Sequence, residues 1–353
     1  MSATTILDGL QHRRAAALAR AISQVENGSA GFEEILVALH GQLGGARRIG
    51  VTGPPGGGKS TLIERLAAHY RRADLTVGVI AVDPSSPFTG GALLGDRIRM
   101  EGASSDPGVF IRSMASRGSL GGMATTTGEV ADVMDAFGFQ RILIETVGVG
   151  QSELDVATVA DTTVVVLVPE SGDGIQVMKS GLMEIADVLV VNKADRPGAD
   201  RLRQELEVAL GLRRGETFRH VPAHHGIELV AGSRAQRGKS APPPAGSGAD
   251  SRWEPPVVVT SAARSEGVGE LVEALDRHFA FLEHSGALTA RRSRRLARRT
   301  RDVVDRALHR WVWSDAGPKA ALEAALEDVT AGKRSPYEAA AAIVARIRGS
   351  SGT

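Results

Sequence analysis

The chain has no cysteine, which excludes disulfides and thiolate-bound metals and fits a reducing compartment. It also lacks an excess of either charge. Its 42 basic and 41 acidic side chains leave a formal net charge of +1, so the overall field gives no reason to expect nucleic acid or a membrane as a partner. Residues 1–14 contain no apolar signal core, and no segment approaches the roughly 20 apolar residues that cross a bilayer. No internal repeat of about 20–50 residues is present. These absences point to a soluble, cytoplasmic protein. Its 353 residues exceed a single typical domain.

What the chain does have is a glycine-rich loop, Gly53-Pro54-Pro55-Gly56-Gly57-Gly58-Lys59-Ser60-Thr61. The apolar run Ile49-Gly50-Val51-Thr52 precedes it, and Leu62, Ile63, Leu66 and Ala67 follow at helical spacing. A glycine-rich turn between strand and helix is the phosphate cradle of P-loop nucleotidases. The backbone N–H groups and the helix N-terminus meet the phosphates, Lys59 reaches the β and γ oxygens, and Ser60 coordinates magnesium.

Short β-branched runs then alternate with helical stretches: 76–82, 109–112, 142–144, 162–168, 188–191 and 257–260. Runs this apolar are buried on both faces, which predicts an α/β fold with a mostly parallel sheet flanked by helices. Apolar spacing on either side of Asn27-Gly28 predicts an N-terminal extension of two helices over residues 1–46. The P-loop domain is expected over 47–282, with a flexible insertion at 226–255 where Pro242, Pro243 and Pro244 stand among glycine and serine. Residues 283–353 read as a helical arm. Arg291, Arg292, Arg294, Arg295, Arg298, Arg299 and Arg301 crowd its start, a run that is usually a solvated helix face. Leu296, Val303, Val304, Leu308 and Trp311 offer an apolar stripe, and Ser335-Pro336-Tyr337-Glu338 spells a capping box.

Asn192-Lys193-Ala194-Asp195 directly follows the apolar run 188–191. A carboxylate at Asp195 accepts from N1–H and the 2-amino group of guanine, a donor pair that adenine lacks, so the expected ligand is GTP or GDP. Ser261-Ala262 would complete the base pocket. Asp83 and Glu145 end predicted strands, where ligands of parallel sheets bind. Together with Asp96 and Ser60 they supply the oxygen ligands that magnesium prefers. Glu145-Thr146-Val147-Gly148 occupies the place of the γ-phosphate-sensing element, which makes Lys59 and Glu145 the candidate catalytic residues and Gly148 a phosphate contact. In many small GTPases a glutamine after that glycine orients the attacking water. Here the position is Val149, which predicts slow turnover.

The blocks 82–87, 89–100 and 145–153, with Ala186-Asp187 leading to Asn192-Lys193-Ala194-Asp195, closely resemble the MeaB/ArgK family over nearly the whole chain. The resemblance implies a metallochaperone-class GTPase serving an adenosylcobalamin-dependent acyl-CoA mutase, above all methylmalonyl-CoA mutase. It would gate cofactor loading and protect the mutase. The resemblance also implies a homodimer held through the C-terminal arm, and an additional switch at 169–179 facing the partner. Trp311 and Trp313 then read as core or dimer contacts. Two alternatives remain: a kinase of a transport protein, as once ascribed to the ArgK branch, and a nickel- or cobalt-inserting GTPase, against which the absence of cysteine counts.

Overall fold

The computed structural model describes residues 2–84, 106–116, 122–146, 152–169, 181–213, 252–314 and 316–350. Seven parallel strands form one sheet in the order β3-β2-β4-β1-β5-β6-β7. These are β1 (Arg47–Thr52), β2 (Val77–Pro84), β3 (Val109–Ser116), β4 (Arg141–Thr146), β5 (Thr162–Leu167), β6 (Val188–Val191) and β7 (Val257–Val259). Successive side chains feed opposite layers, because strand residues alternate in direction. Ile142 and Ile144 join one core with Ile80 and Val82, whereas Leu143 joins the other with Ile49, Val51, Val77 and Val79. Both faces are therefore covered, as the unbroken apolar runs require.

The first face is covered by α1 (Ala3–Gln11), α2 (Ala15–Glu26), α3 (Phe32–Leu39) and α5 (Gly122–Phe137). The sequence predicted two helices before β1, and three are present. Ser2 caps the extra one, α1, by accepting the Thr5 N–H, and Ala3, Ile6 and Leu10 bury one side of it against α2 and α3. On the second face lie α4 (Lys59–Arg72), which starts at the end of the glycine loop, and α9 (Val268–His284). Three further helices complete the layers: α6 (Ser152–Val159), α7 (Leu182–Ile185) and α8 (Ala199–Arg213).

Beyond α9 the chain runs through α10 (Ala287–Ser314), α11 (Ala316–Thr330) and α12 (Pro336–Ser350). The capping box forms at α12. Ser335 Oγ accepts the Glu338 N–H at 3.2 Å, and the Glu338 carboxylate accepts the Ser335 N–H at 2.8 Å. Among the described residues, no helix is long and apolar enough to cross a membrane. Of the flexible insertion expected at 226–255, residues 226–251 lie outside the described residues. Trp253 donates its indole N–H to the Asp187 carbonyl at 2.7 Å and packs its ring 4.7 Å from that of His278.

The start of α10 is not the solvated face that its arginine content suggests. Arg291 makes a bidentate pair with Asp187, and Arg292 and Arg295 converge on Asp161, which is fully buried. Arg299 pairs with Asp132, which Arg48 also contacts at 2.8 Å. Burial pushes the Asp161 carboxyl up, but the Arg292 hydrogen bond, the charges of Arg295 and Arg292 and the Arg48 N–H outweigh it and hold the group below the ordinary range. Arg294, Arg298 and Arg301 do remain exposed. Trp311 and Trp313 are not core residues of this chain either, at 53% and 38% exposed.

Candidate nucleotide site

The loop between β1 and α4 is shaped by close backbone contacts. At Gly53, φ is +135° and an added Cβ would lie 2.1 Å from the Val166 carbonyl oxygen, so only glycine fits. Gly58 caps α4 at φ +81°, where a Cβ would meet the Asn192 amide at 2.5 Å. Gly57 N–H donates to Pro54 O at 3.2 Å and closes the turn. Lys59 is buried, and its Nζ donates to the Gly53 and Pro54 carbonyls at 2.8 and 2.9 Å. The ammonium thus lies inside the curl of the loop.

Asn192 ties this loop to the base-pocket segments. Its amide donates to Gly57 O at 2.8 Å, and its Oδ1 accepts from Thr260 Oγ1 and the Ala262 N–H, both at 3.1 Å. Three segments far apart in sequence therefore share one buried side chain. Asp195 Oδ1 accepts the Ser261 hydroxyl at 2.7 Å. That bond, the residue's own backbone N–H and the charges of Arg264 and Arg196 hold the Asp195 carboxyl below its ordinary range. At neutral pH it is a charged acceptor. Arg65 of α4 adds a clamp from behind by donating to Ala262 O at 3.2 Å. Gly58, Thr61, Asn192, Lys193, Asp195, Ser261 and Ala262 surround a cavity of about 130 Å³, with Arg196 and Ala263 on its wall.

A second group lies beside the start of α4. Ser60 Oγ donates to Glu145 Oε1 at 2.7 Å, and Glu145 is 1% exposed. Thr146 Oγ1 donates to Thr52 Oγ1 at 3.0 Å and fastens the ends of β4 and β1 together. The register pairs Ala81 with Glu145, which places Asp83 at the neighbouring end of β2. Two hard oxygen donors at the mouth of the phosphate loop suit magnesium, which keeps several waters and takes few protein ligands. The Asp83 side chain, Asp96, Gly148 and the candidate switch after Pro169 lie outside the described residues.

The structure thus gathers the loop 53–61, Glu145, Asn192, Lys193, Asp195, Ser261 and Ala262 at the carboxyl ends of β1, β4, β6 and β7, where parallel sheets bind ligands. Sequence reasoning missed Thr260, Thr52 and Arg65. Thr260, directly after the apolar run 257–259 and before Ser261, was the one with a readable signal.

The model of the family described as methylmalonyl Co-A mutase-associated GTPase MeaB matches residues 18–316. A GTPase of Pyrococcus abyssi is 46% identical over 288 residues, 82% of this chain and 79% of its own length. GTPase ArgK of Escherichia coli is 34% identical over 283 residues, 79% of this chain and 76% of its own. The crystal structure of an LAO/AO transport system kinase superposes with a TM-score of 0.65 at 25% identity, covering 98% of this chain and 97% of that one. With a glycine loop, a buried Asn192 bridge and an ionised Asp195 in one P-loop fold, this chain is a GTPase and belongs to the MeaB family of methylmalonyl-CoA mutase-associated GTPases.

Proposed function

We propose that this GTPase is the chaperone of an adenosylcobalamin-dependent acyl-CoA mutase, methylmalonyl-CoA mutase or a close relative, and that its GTP cycle gates cofactor loading and protects or reactivates the mutase. The observation that carries this reading is the match to a mutase-associated family over 18–316, which spans the base pocket, the phosphate loop and all of α10.

In this reading Asp195 selects guanine, Asn192 holds the two walls of the pocket together, and Lys59 turns from the Gly53 and Pro54 carbonyls to the β and γ oxygens. Ser60 and Glu145, with Asp83 and Asp96, hold magnesium, which when bound neutralises phosphate charge. Gly148 senses the γ-phosphate. Val149 in place of a water-orienting glutamine makes intrinsic hydrolysis slow, which leaves room for a partner to accelerate it. The chain works in the cytoplasm as a homodimer. Leu296, Val304, Leu308 and Trp311 support the dimer, because they leave an exposed apolar stripe along α10.

The test is GTP hydrolysis with and without purified acyl-CoA mutases, alongside recovery of mutase activity after inactivation. Acceleration by one mutase together with GTP-dependent recovery supports the reading, and no effect with any mutase refutes it. The likeness to a transport system kinase motivates a second reading. Transfer of labelled γ-phosphate to a protein would favour that reading.

A further inference from the structure

A cavity of about 320 Å³ lies away from the nucleotide loop. It opens at the other end of the sheet, between α6, the turn from α7 into β6, the start of β5 and α10. Its lining includes Thr158, Glu184, Asp187 and four arginines of α10: Arg291, Arg294, Arg295 and Arg298. The six residues of β5 separate it from the carboxyl ends of the strands by about 17 Å. It is therefore a different site from the phosphate loop.

The four arginines fall into two classes. Arg291 and Arg295 are committed to Asp187 and Asp161 and are partly buried. Arg294 and Arg298 have no ion pair or hydrogen bond among the described residues, yet both face the cavity. The wall behind them does not neutralise them. Arg48, Arg291, Arg292, Arg295 and Arg299 share Asp132, Asp135, Asp161 and Asp187, five cations against four anions, and Glu184 stands on the rim. Residues four apart on a helix project side by side, with Cβ atoms about 5–6 Å apart. Two guanidinium forks at that spacing, in a cleft at the lower end of the roughly 300–1,000 Å³ typical of small-ligand sites, suit neighbouring oxyanion groups.

We propose that the cleft between α6, α7 and α10 is a second ligand site, which takes a small molecule carrying two phosphate groups through Arg294 and Arg298. Arg291 and Arg295 serve as the positioning frame: Asp187 and Asp161 fix their guanidiniums, so α10 cannot withdraw the two open arginines from the cleft.

The probe is inorganic pyrophosphate, titrated by calorimetry into the full chain carrying one bound GDP with free nucleotide removed, so that the phosphate loop is already filled while no excess GDP competes for the cleft. The expected result is one pyrophosphate bound per chain, weakened at least about tenfold in Arg294→Ala/Arg298→Ala, with melting temperature and basal GTP hydrolysis unchanged because neither side chain touches the core or the nucleotide loop. Arg294→Lys/Arg298→Lys keeps the charge and loses the fork, and should bind with intermediate affinity. No pyrophosphate uptake by the GDP-loaded chain, uptake equal in the alanine variant, or citrate bound more tightly than pyrophosphate would each overturn the proposal.

Discussion

Replacing Asn192 with alanine tests whether one buried amide holds the nucleotide pocket together. The side chain is 1% exposed and makes three hydrogen bonds, to Gly57 O, Thr260 Oγ1 and the Ala262 N–H. Thr260 can turn its hydroxyl elsewhere, but the Gly57 carbonyl and the Ala262 N–H are fixed by the backbone. Leaving two such groups unpaired costs about 2–4 kcal/mol, at about 1–2 kcal/mol each. Part of that cost falls on global stability. The rest falls on the bound state, because the phosphate loop and the segment 261–263 are no longer joined. A share of about 1.4–2.8 kcal/mol corresponds to GDP binding about 10–100-fold more weakly. Stopped-flow release of a fluorescent GDP analogue should show the change mainly as faster dissociation. Thr260→Val removes only the bond whose partner can rotate, and should weaken GDP by less than about threefold. GDP affinity in Asn192→Ala within about twofold of the parent, or a larger effect in Thr260→Val, would refute the reasoning.

Two further substitutions probe the frame around the site. Asp161→Asn removes the charge on which Arg292 and Arg295 converge and should destabilise the fold by about 2–3 kcal/mol at neutral pH, less than a fully buried pair because both guanidiniums keep some solvent. Since the Asp161 carboxyl is held below its ordinary value of about 3.9, the gap to the parent should be full above that pH and close as pH falls through the folded-state value. Denaturant titrations across pH measure it, and a gap independent of pH would contradict the assignment. Gly53→Ala drives a Cβ into the Val166 carbonyl and should cost about 2–3 kcal/mol or more while abolishing GDP binding, read by thermal melting and calorimetry.

The parts of the fold that were legible from sequence were local. Val188 to Val191 and Ile142 to Ile144 announce buried strands by composition alone, and Ser335 and Glu338 announce a helix start because both partners of the capping box lie within one turn. The glycine loop and Asp195 were legible for the same reason, since their chemistry is written in contiguous residues. The bridging role of Asn192 was not, because Gly57 is 135 residues away and Thr260 is 68. The arginine run misled for a related reason: a charge run read alone reveals nothing of Asp161 or Asp132, which lie 131 and 167 residues from Arg292 and Arg299. Helix α1 escaped notice because nine residues give only Ile6 and Leu10 as a repeat on its inner face.

The most direct measurement of the central claim, that Asp195 makes this a guanine-selective machine, is nucleotide competition on Asp195→Asn. Guanine presents N1–H and an amino group to the carboxylate, whereas xanthine presents a carbonyl where the amino group was, which an asparagine amide can meet as a donor. The account predicts that the parent binds GTP and excludes ATP and XTP, and that Asp195→Asn loses about 100-fold in GTP affinity while gaining XTP. A variant that still prefers GTP, or a parent that binds ATP equally well, would contradict it.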